Sequence, residues 1–221
     1  MGSRNVGQGD SYGGYRTQLV EILRGKGIRD MAVLAAIHQV PRHAFVPESV
    51  RHRAYEDSPL PIGNGQTISQ PLVQAMYLQA LQLTGYEKVL EVGTGSGYQT
   101  ALLGVLASMV FSVERHRALA DTARAALEEI EIRNVTVLVG DGTLGWSAFA
   151  PYDAILVAAA SPEVPAPLLE QLAEGGRLVV PLGDRENQEL TLITRNGEEF
   201  RRESLGGVRF VPLVGQHGFP K

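Results

Sequence analysis

Hydrophobic and polar positions divide this chain into a helical first part, residues 15–84, and a second part, residues 85–221, in which strands and helices alternate. In the first part, apolar residues recur three or four positions apart, the spacing of one helix face. Two such helices precede a break at Pro41–Pro47, because proline disfavours helix at itself and at the residue before it. The residues that carry the two faces are Leu19, Ile22 and Leu23, then Met31, Leu34, Ala35 and Ile37.

A loop and a third helix complete the first part. Residues Ser58–Pro71 contain three prolines and two glycines, a composition typical of irregular backbone. Helical spacing resumes over Leu72–Leu83. Residues 1–14 are rich in Gly, Ser and Asn, which predicts a flexible N-terminal tail. Residues 15–221 are expected to form a single domain, which the length of the chain allows.

In the second part, the alternation predicts parallel strands joined by right-handed crossovers. Five strands alternate with three helices, and two further strands follow. The predicted fold class is α/β: a doubly wound, mostly parallel seven-stranded sheet with an N-terminal helical addition. The predicted strands are Lys88–Val92, Met109–Val113, Val135–Val139, Ala154–Val157, Arg177–Pro181, Gln188–Thr194 and Gly207–Leu213, and the predicted helices are Tyr98–Ala107, Arg117–Glu129 and Ala166–Leu172.

Composition and charge exclude several classes of function. The formal charge of −4 argues against a nucleic-acid partner, which needs a basic face. Without cysteine there are no disulfides, thiolate metal sites or cysteine nucleophiles, and the five histidines lack paired metal-ligand spacing. No apolar run reaches the roughly 20 residues that span a membrane, and no signal peptide opens the chain. We expect a cytoplasmic monomer without a metal, nucleic-acid or membrane partner.

A glycine-rich turn follows the first predicted strand. Glu91 comes at the end of that strand, and three glycines follow at alternate positions before a helix begins. Glycine allows a ligand to approach the backbone closely, and a helix N-terminus presents free N–H groups. The spacing differs from the dinucleotide fingerprint, which has two residues between its last two glycines. The turn either binds another nucleotide-type cofactor or only links strand to helix. Its residues are Gly93, Thr94, Gly95, Ser96 and Gly97.

Acidic residues end the next two strands as well. Glu114, which precedes Arg115, lies about 20 residues after Gly93, the distance at which a carboxylate meets ribose hydroxyls in nucleotide-binding βαβ units. Asp141 is placed to accept a hydrogen bond from an adenine amine, and Gly142 leaves room for the ring. Each also has a simpler reading, as a surface carboxylate or a turn. Because ligands bind at the carboxyl ends of parallel strands, the three acidic strand ends together favour a nucleotide-like ligand.

The turn has the E-x-G-x-G-x-G form of class I S-adenosylmethionine methyltransferases, and further segments narrow this resemblance. From Tyr15 onward, the chain resembles the protein-L-isoaspartate (D-aspartate) O-methyltransferase family. The loop containing Gln-Thr-Ile-Ser is the specific part, because methyltransferases in general lack it. The segments that carry the resemblance are Pro41–Pro47, Leu60–Pro71 and Val208–Leu213, together with Val139–Gly142, Ala150–Ile155 and Gly175–Pro181 in the cofactor half.

This resemblance implies a methyltransferase domain that uses S-adenosyl-L-methionine and leaves S-adenosyl-L-homocysteine, with no metal. The implied acceptor is the free α-carboxylate of L-isoaspartyl and D-aspartyl residues in damaged proteins and peptides. The ester then closes to a succinimide, and hydrolysis returns some normal aspartate. The residues it assigns are Ser69 as the active-site serine, Gln66, Thr67, Ile68 and Ser69 around the methyl donor, and Thr67, Ser69 and the Val214 backbone around the substrate.

Other readings stay open on the sequence alone. Ser69 also suits the cap of the helix that begins near Pro71, and Gln74 falls where some relatives carry histidine. The chain could methylate another acceptor, such as a small-molecule carboxylate or RNA, or bind S-adenosylmethionine without catalysis. A base-amine acceptor is disfavoured, because Ala158–Pro162 stands where amino methyltransferases carry an Asn/Asp-Pro-Pro-aromatic motif. A carboxylate acceptor is already ionised at neutral pH, so its methylation needs alignment rather than a general base.

Overall fold

A seven-stranded sheet and a small hairpin make up the β structure in a computed structural model that describes residues 12–220. The hairpin strands are β1 (Leu60–Gly63) and β2 (Gln66–Ile68). The sheet strands are β3 (Lys88–Val92), β4 (Met109–Glu114), β5 (Val135–Val139), β6 (Tyr152–Val157), β7 (Leu172–Gly183), β8 (Gln188–Asn196) and β9 (Glu199–Val208).

The helices of the described residues begin close to where the sequence predicts them. The predicted flexible tail lies outside the described residues as far as residue 11, whereas Gly13 and Gly14 already belong to the first helix. Short 3-10 segments at Arg42–Phe45 and Glu48–Arg53 follow the proline break. The helices are α1 (Gly13–Gly25), α2 (Met31–Gln39), α3 (Pro71–Leu81), α4 (Tyr98–Leu106), α5 (Arg117–Glu129) and α6 (Ala166–Glu170).

The strand order in the large sheet is β5-β4-β3-β6-β7-β8-β9. Strands β3 to β7 pair in parallel, and β8 and β9 add an antiparallel edge. The chain moves outward from β3 to β5 and then returns to the other side of β3 as β6. Ligands of open α/β sheets bind at such a switch point, outside the carboxyl ends of the strands. The predicted α/β fold class is confirmed.

Apolar clusters cover both faces of the sheet. Successive side chains of a strand point to opposite faces, so Val89 packs beneath the N-terminal helices while Leu90 and Val92 belong to a second cluster on the other face. Full burial of a side chain such as Leu90 contributes roughly 2 kcal/mol. Parallel strands covered on both faces are mostly apolar, and Glu91 is the charged residue among the buried positions of β3.

The hairpin contradicts the loop predicted over Ser58–Pro71. Its turn contains Asn64 and Gly65, both with positive φ (52° and 69°), as two-residue hairpin turns require. Pro61 is tolerated because the hairpin has only two strands, so a backbone without an N–H group does not interrupt a central ladder. This hairpin places residues 66–70, the Ser69 loop, opposite the glycine turn: a Cβ on Gly95 would lie 3.6 Å from Ile62 Cδ1 of β1.

The largest departures from the predicted boundaries lie in the second part of the chain. The last strand is Glu199–Val208 and not Gly207–Leu213, because an exposed edge strand rich in charged residues carries little hydrophobic signal. Beyond it, the Gln188 side chain accepts a hydrogen bond from the backbone N–H of Phe210 at 2.8 Å, so the backbone leaves the ladder. The helix predicted over Ala166–Leu172 ends at Glu170, and β7 begins at Leu172.

Candidate active site

The glycine turn lies at the carboxyl end of β3, at the switch point of the sheet. Gly93 and Gly95 have φ values of 96° and 54°, which L side chains rarely adopt. Gly97 is required for packing as well: a Cβ there would lie 3.0 Å from the Cβ of Ala123 in α5. The turn is therefore fixed by its backbone conformation and by the helix behind it.

Glu91 lies beneath this turn and does not line the pocket above it. Its side chain is fully buried, and Oε2 accepts hydrogen bonds from Thr100 Oγ1 at 2.5 Å and Ser112 Oγ at 2.6 Å. Because Ser112 donates its only proton to Glu91, Thr94 donates in the 2.5 Å contact between Thr94 Oγ1 and Ser112 Oγ. These hydroxyls connect the turn to β3, β4 and α4, so Glu91 supports the turn from below.

The protonation of Glu91 leads to a prediction about stability. Burial raises the pKa of Glu91 from 4.5 to about 8, although the Ser112 and Thr100 hydroxyls lower it. The stability that this group contributes is complete below the unfolded value and is lost as pH rises towards the folded one. We expect the free energy of unfolding to fall by up to about 1.4 kcal/mol per pH unit in this window, and Glu91→Gln to remove that slope. Urea unfolding against pH measures it; equal slopes in both proteins would contradict it.

Glu114 lies at the end of β4 and faces the glycine turn. Its Oε2 accepts a hydrogen bond from the backbone N–H of Gly95 at 2.9 Å, and its Oε1 accepts one from the backbone N–H of His116 at 2.8 Å. These two bonds fix the carboxylate at the mouth of the turn. Each oxygen retains acceptor capacity, so the group is preorganised for a ligand with neighbouring hydroxyls.

One pocket brings together most of the residues that the sequence assigns to the methyl donor, and it is called the donor pocket for that reason. It lies between the glycine turn, the Ser69 loop and residues 211–214. Glu91, Gly97 and Asp141 do not line it. Sequence reasoning did not assign Gln74, Gln99, His116 or Ala158 to it, although they do line it. The predicted residues that line it are Gln66, Thr67, Ile68, Ser69, Gly93, Thr94, Gly95, Ser96, Glu114, Arg115, Gly142 and Val214.

The Ser69 loop is held by Asp57 and leaves the Ser69 hydroxyl free. Asp57 Oδ1 accepts from the backbone N–H of Leu72 at 2.9 Å, and Oδ2 accepts from Gln70 Nε2 at 3.1 Å and Lys26 Nζ at 2.7 Å. Helix α3 has Gln70 at its N-cap position, so Ser69 is not the cap. Within the described residues the Ser69 hydroxyl has no hydrogen-bond partner, which leaves it available to a ligand.

A groove of about 1030 Å³ opens from the donor pocket on the Ser69 side. Thr67, Ser69, Ala158 and Val211 line both spaces. A ligand in the donor pocket and a second ligand in the groove would therefore meet beside Ser69. The groove is bounded by the loop between β7 and β8 and by the segment after β9, and its charged residues are Glu186, Glu189 and Arg209.

Asp141 holds the C-terminal segment in this structure. Its Oδ1 accepts from the backbone N–H of Thr143 at 2.9 Å and from Thr143 Oγ1 at 2.7 Å, and its Oδ2 accepts from the backbone N–H of Gln216 at 2.8 Å. Val214, two residues earlier, lines the donor pocket. Packing requires glycine at position 142, because a Cβ there would overlap Val92 Cγ1.

We expect Asp141→Ala to weaken binding of the ligand in the donor pocket, because the change releases the segment that begins at Val214. An effect of about tenfold on the dissociation constant corresponds to the loss of one hydrogen bond to a charged group. Calorimetric titration measures the constant, and amide exchange at Gln216 reports release of the segment. Faster exchange with an unaltered dissociation constant would remove Asp141 from the binding account.

Neither a metal-binding group of side chains nor a membrane-spanning helix is present among residues 12–220 of the structure. Among them, no group of three or more His, Cys, Asp or Glu side chains is arranged to hold a metal ion. Within the same residues, no helix has the length and apolar character to cross a membrane. The acidic and basic side chains at the donor pocket are those of Glu114, Arg115 and His116.

Comparison with known proteins identifies the family. The family model described as protein-L-isoaspartate (D-aspartate) O-methyltransferase matches residues 15–218. A protein of Syntrophobacter fumaroxidans named protein-L-isoaspartate O-methyltransferase 1 is 54% identical over 205 residues, 92% of this chain and 96% of that protein.

Solved structures agree with the family match. A structure named protein-L-isoaspartate O-methyltransferase has a TM-score of 0.84 and 31% identity, over 92% of this chain and 67% of that one. A Plasmodium falciparum structure described as the same enzyme in complex with S-adenosyl-L-homocysteine has a TM-score of 0.80 and 27% identity, over 90% of this chain and 98% of that one. This chain belongs to the protein-L-isoaspartate (D-aspartate) O-methyltransferase family.

Proposed function

We propose that this chain transfers a methyl group from S-adenosyl-L-methionine to the free α-carboxylate of L-isoaspartyl and D-aspartyl residues in damaged proteins and peptides. The observation that carries this proposal is the junction of the donor pocket and the groove at Ser69, whose hydroxyl has no partner among the described residues. Two substrates can reach one polar group from opposite sides. The family match supports the same reaction.

The donor pocket fits S-adenosylmethionine in the chemistry of its walls. The turn at Gly93 and Gly95 forms a cradle that a side chain would narrow, because a Cβ on Gly93 would lie 3.5 Å from Ala158 Cβ. The Glu114 carboxylate suits the ribose hydroxyls. The residues that we assign to the donor are Gln66, Thr67, Ile68, Ser69, Gly93, Thr94, Gly95, Ser96, Glu114, Arg115 and Gly142 at the pocket, with Glu91, Gly97 and Asp141 supporting its walls.

When bound, S-adenosylmethionine would supply a methyl group from its cationic sulfur. The product of the transfer, S-adenosyl-L-homocysteine, carries a neutral sulfur. Ser69 donates one hydrogen bond to the acceptor carboxylate and so orients it, while a lone pair of the carboxylate stays free to react. A neutral hydroxyl suits this task, because a strong cationic donor on the same oxygen would reduce its nucleophilicity. The acceptor is ionised at neutral pH, so no residue has to remove a proton. The walls of the site exclude water and align the two groups.

The groove binds the peptide around the isoaspartyl residue. Its walls include the loop between β7 and β8 and residues 207–211 at the end of the edge strand β9, which suits main-chain pairing with an extended chain. Main-chain recognition accommodates damaged sites that share little sequence. The Val214 backbone lies on the donor side of the same site. We further propose that the chain acts as a cytoplasmic monomer without nucleic acid or membrane as partner; the formal charge of −4 argues against nucleic acid.

A matched peptide pair tests this function. Labelled S-adenosylmethionine is offered with an isoaspartyl peptide and with its aspartyl counterpart of the same sequence, and base-labile label is counted. We expect label on the isoaspartyl peptide alone. Label on neither peptide, with the donor still bound, would instead indicate another acceptor or a binding module without catalysis, and would contradict the proposal.

A further inference from the structure

Arg42 is a fully buried arginine behind the Ser69 loop. Its Nη1 donates to Gln74 Oε1 at 2.7 Å, and its Nη2 donates to the carbonyl oxygen of Ser69 at 2.8 Å. The guanidinium lies 4.8 Å from the centroid of the Tyr98 ring. Both hydrogen-bond partners line the donor pocket, so Arg42 sits directly behind the wall that the two substrates share.

Arg42 has no carboxylate at ion-pair distance among the described residues; the nearest acidic influence on its charge is Asp57, which is itself paired with Lys26. The hydrogen-bond partners of Arg42 are an amide and a carbonyl oxygen. Burial lowers the pKa of Arg42 to about 10, so the side chain remains a cation at neutral pH. Burying a cation without a direct ion-pair partner opposes folding, and an apolar residue of similar size would avoid that cost. A role in stability alone therefore does not explain this arginine.

Both hydrogen bonds act on the geometry of the site. The guanidinium is a rigid fork, so it holds two partners at once in a fixed relation, which a lysine ammonium does not. One partner is the backbone of the residue that carries the free hydroxyl. The other, Gln74, is held in the wall next to it. Loss of the fork would leave both groups free to move relative to the donor.

The same charge also favours an anion beside Ser69. The acceptor is a carboxylate that enters a partly enclosed site, where charges interact more strongly than in water. The Arg42 cation lies directly behind the loop in space, so it attracts that carboxylate without donating a hydrogen bond to it. The carboxylate is thereby held near Ser69 while its oxygens keep their lone pairs for the reaction.

We propose that Arg42 is a positioning residue for methyl transfer: it fixes Ser69 and Gln74, and its charge favours the acceptor carboxylate at Ser69. This inference rests on the proposed function. Arg42 contacts neither substrate in this role, and it acts through the two groups to which it donates. The role goes beyond the contacts of the donor pocket itself, since Arg42 does not line that pocket.

Three variants separate geometry from charge. Arg42→Met removes both, Arg42→Lys keeps the charge but loses the fork, and Gln74→Glu places a carboxylate against Arg42 and neutralises it. Steady-state kinetics with an isoaspartyl peptide, calorimetry with S-adenosyl-L-homocysteine and thermal unfolding are measured for each. Arg133→Met serves as the control, because Arg133 is 83% exposed in an ion pair with Glu131.

We expect Arg42→Met to raise KM for the peptide and to lower kcat, each by about tenfold, the effect of losing a hydrogen bond to a charged group. Arg42→Lys should restore KM while kcat stays low. Gln74→Glu should raise KM without lowering the midpoint of thermal unfolding. The dissociation constant of S-adenosyl-L-homocysteine should change less than the KM of the peptide in Arg42→Met and Arg42→Lys, because the glycine turn and the carboxylate of Glu114 are untouched.

Wild-type KM and kcat in Arg42→Lys and Gln74→Glu, well below their unfolding midpoints, would overturn the proposal even if Arg42→Met does not fold. Amide hydrogen exchange over residues 66–70 tests, independently of activity, whether Arg42 holds the Ser69 loop. We expect faster exchange in Arg42→Lys than in the wild type, and unaltered exchange would refute the positioning role. If instead the wild type fails to methylate the isoaspartyl peptide, the proposed function is wrong, and the exchange experiment still decides whether Arg42 holds the loop.

Discussion

Replacing Ser69 by alanine should lower kcat for methylation of an isoaspartyl peptide by about a hundredfold, the effect of removing one preorganised hydrogen-bond donor from an active site. The Ser69 hydroxyl is the polar group at which the donor pocket and the groove meet, and within the described residues it has no other partner. Without it, the acceptor carboxylate still enters the site but is no longer oriented towards the methyl group.

The measurement is a single-turnover rate with saturating donor and peptide, combined with calorimetry for S-adenosyl-L-homocysteine. We expect the dissociation constant to stay close to that of the wild type, because the glycine turn and Glu114 are unchanged. Ser147→Ala is a matched control, since Ser147 is exposed and lies outside both the pocket and the groove. An unchanged turnover in Ser69→Ala would remove Ser69 from the catalytic role.

The second large effect is expected at Glu114. Glu114→Ala should weaken binding of S-adenosyl-L-homocysteine by about a hundredfold, because two hydrogen bonds from ribose hydroxyls to a charged acceptor are lost. The backbone N–H groups of Gly95 and His116 also lose their acceptor, so the turn becomes less well ordered. Once the donor is saturating, kcat should recover most of its wild-type value.

Calorimetry and kinetics at several donor concentrations separate these two effects. Glu128→Ala provides the control. Glu128 is an exposed carboxylate on α5, and its replacement removes the same charge from the protein. Equal dissociation constants for Glu114→Ala and Glu128→Ala would show that the carboxylate of Glu114 does not hold the donor. A loss of kcat at saturating donor would assign Glu114 to alignment rather than to binding.

Much of the fold follows from local sequence pattern. Strands such as Val135–Val139 are mostly apolar because both faces of the sheet are covered, and the order of the strands and helices predicts parallel pairing. The edge strand Glu199–Val208 is mostly exposed and rich in charged residues, so its pattern does not mark it as a strand. The hairpin at Leu60–Ile68 contains proline, which argued for a loop, and only the Asn64–Gly65 turn signals the reversal.

The donor side of the site was predictable because its parts are close in sequence or follow one βαβ spacing. The glycine turn is contiguous, and Glu114 lies at the end of the neighbouring strand. The sequence predicts that Glu91 contacts the ligand at the same strand end. Because side chains alternate along a strand, Glu91 instead points into the core beneath the glycine turn. The direction of Asp141 depends on the C-terminal segment that it holds, which no local pattern shows.

Arg42 could not be predicted, because its position is a product of tertiary packing. It stands 27 residues before Ser69 in the sequence, in a short segment between two prolines that looks like a connection. The contact forms only when the segments of the first part fold onto one another, and packing against α4 then places Arg42 over the Tyr98 ring. An arginine in a segment between two prolines gives no local sign that it will be fully buried.

The central claim is that this site methylates the α-carboxylate of an isoaspartyl residue, and the position of the ester tests it most directly. An isoaspartyl peptide is incubated with S-adenosylmethionine that carries a labelled methyl group, quenched in acid before the ester closes to a succinimide, and fragmented in a mass spectrometer. We predict the labelled methyl group on the α-carboxylate of the isoaspartyl residue and on no other carboxylate. A labelled methyl group on a side-chain or C-terminal carboxylate, or equal labelling of the matched aspartyl peptide, would contradict the account.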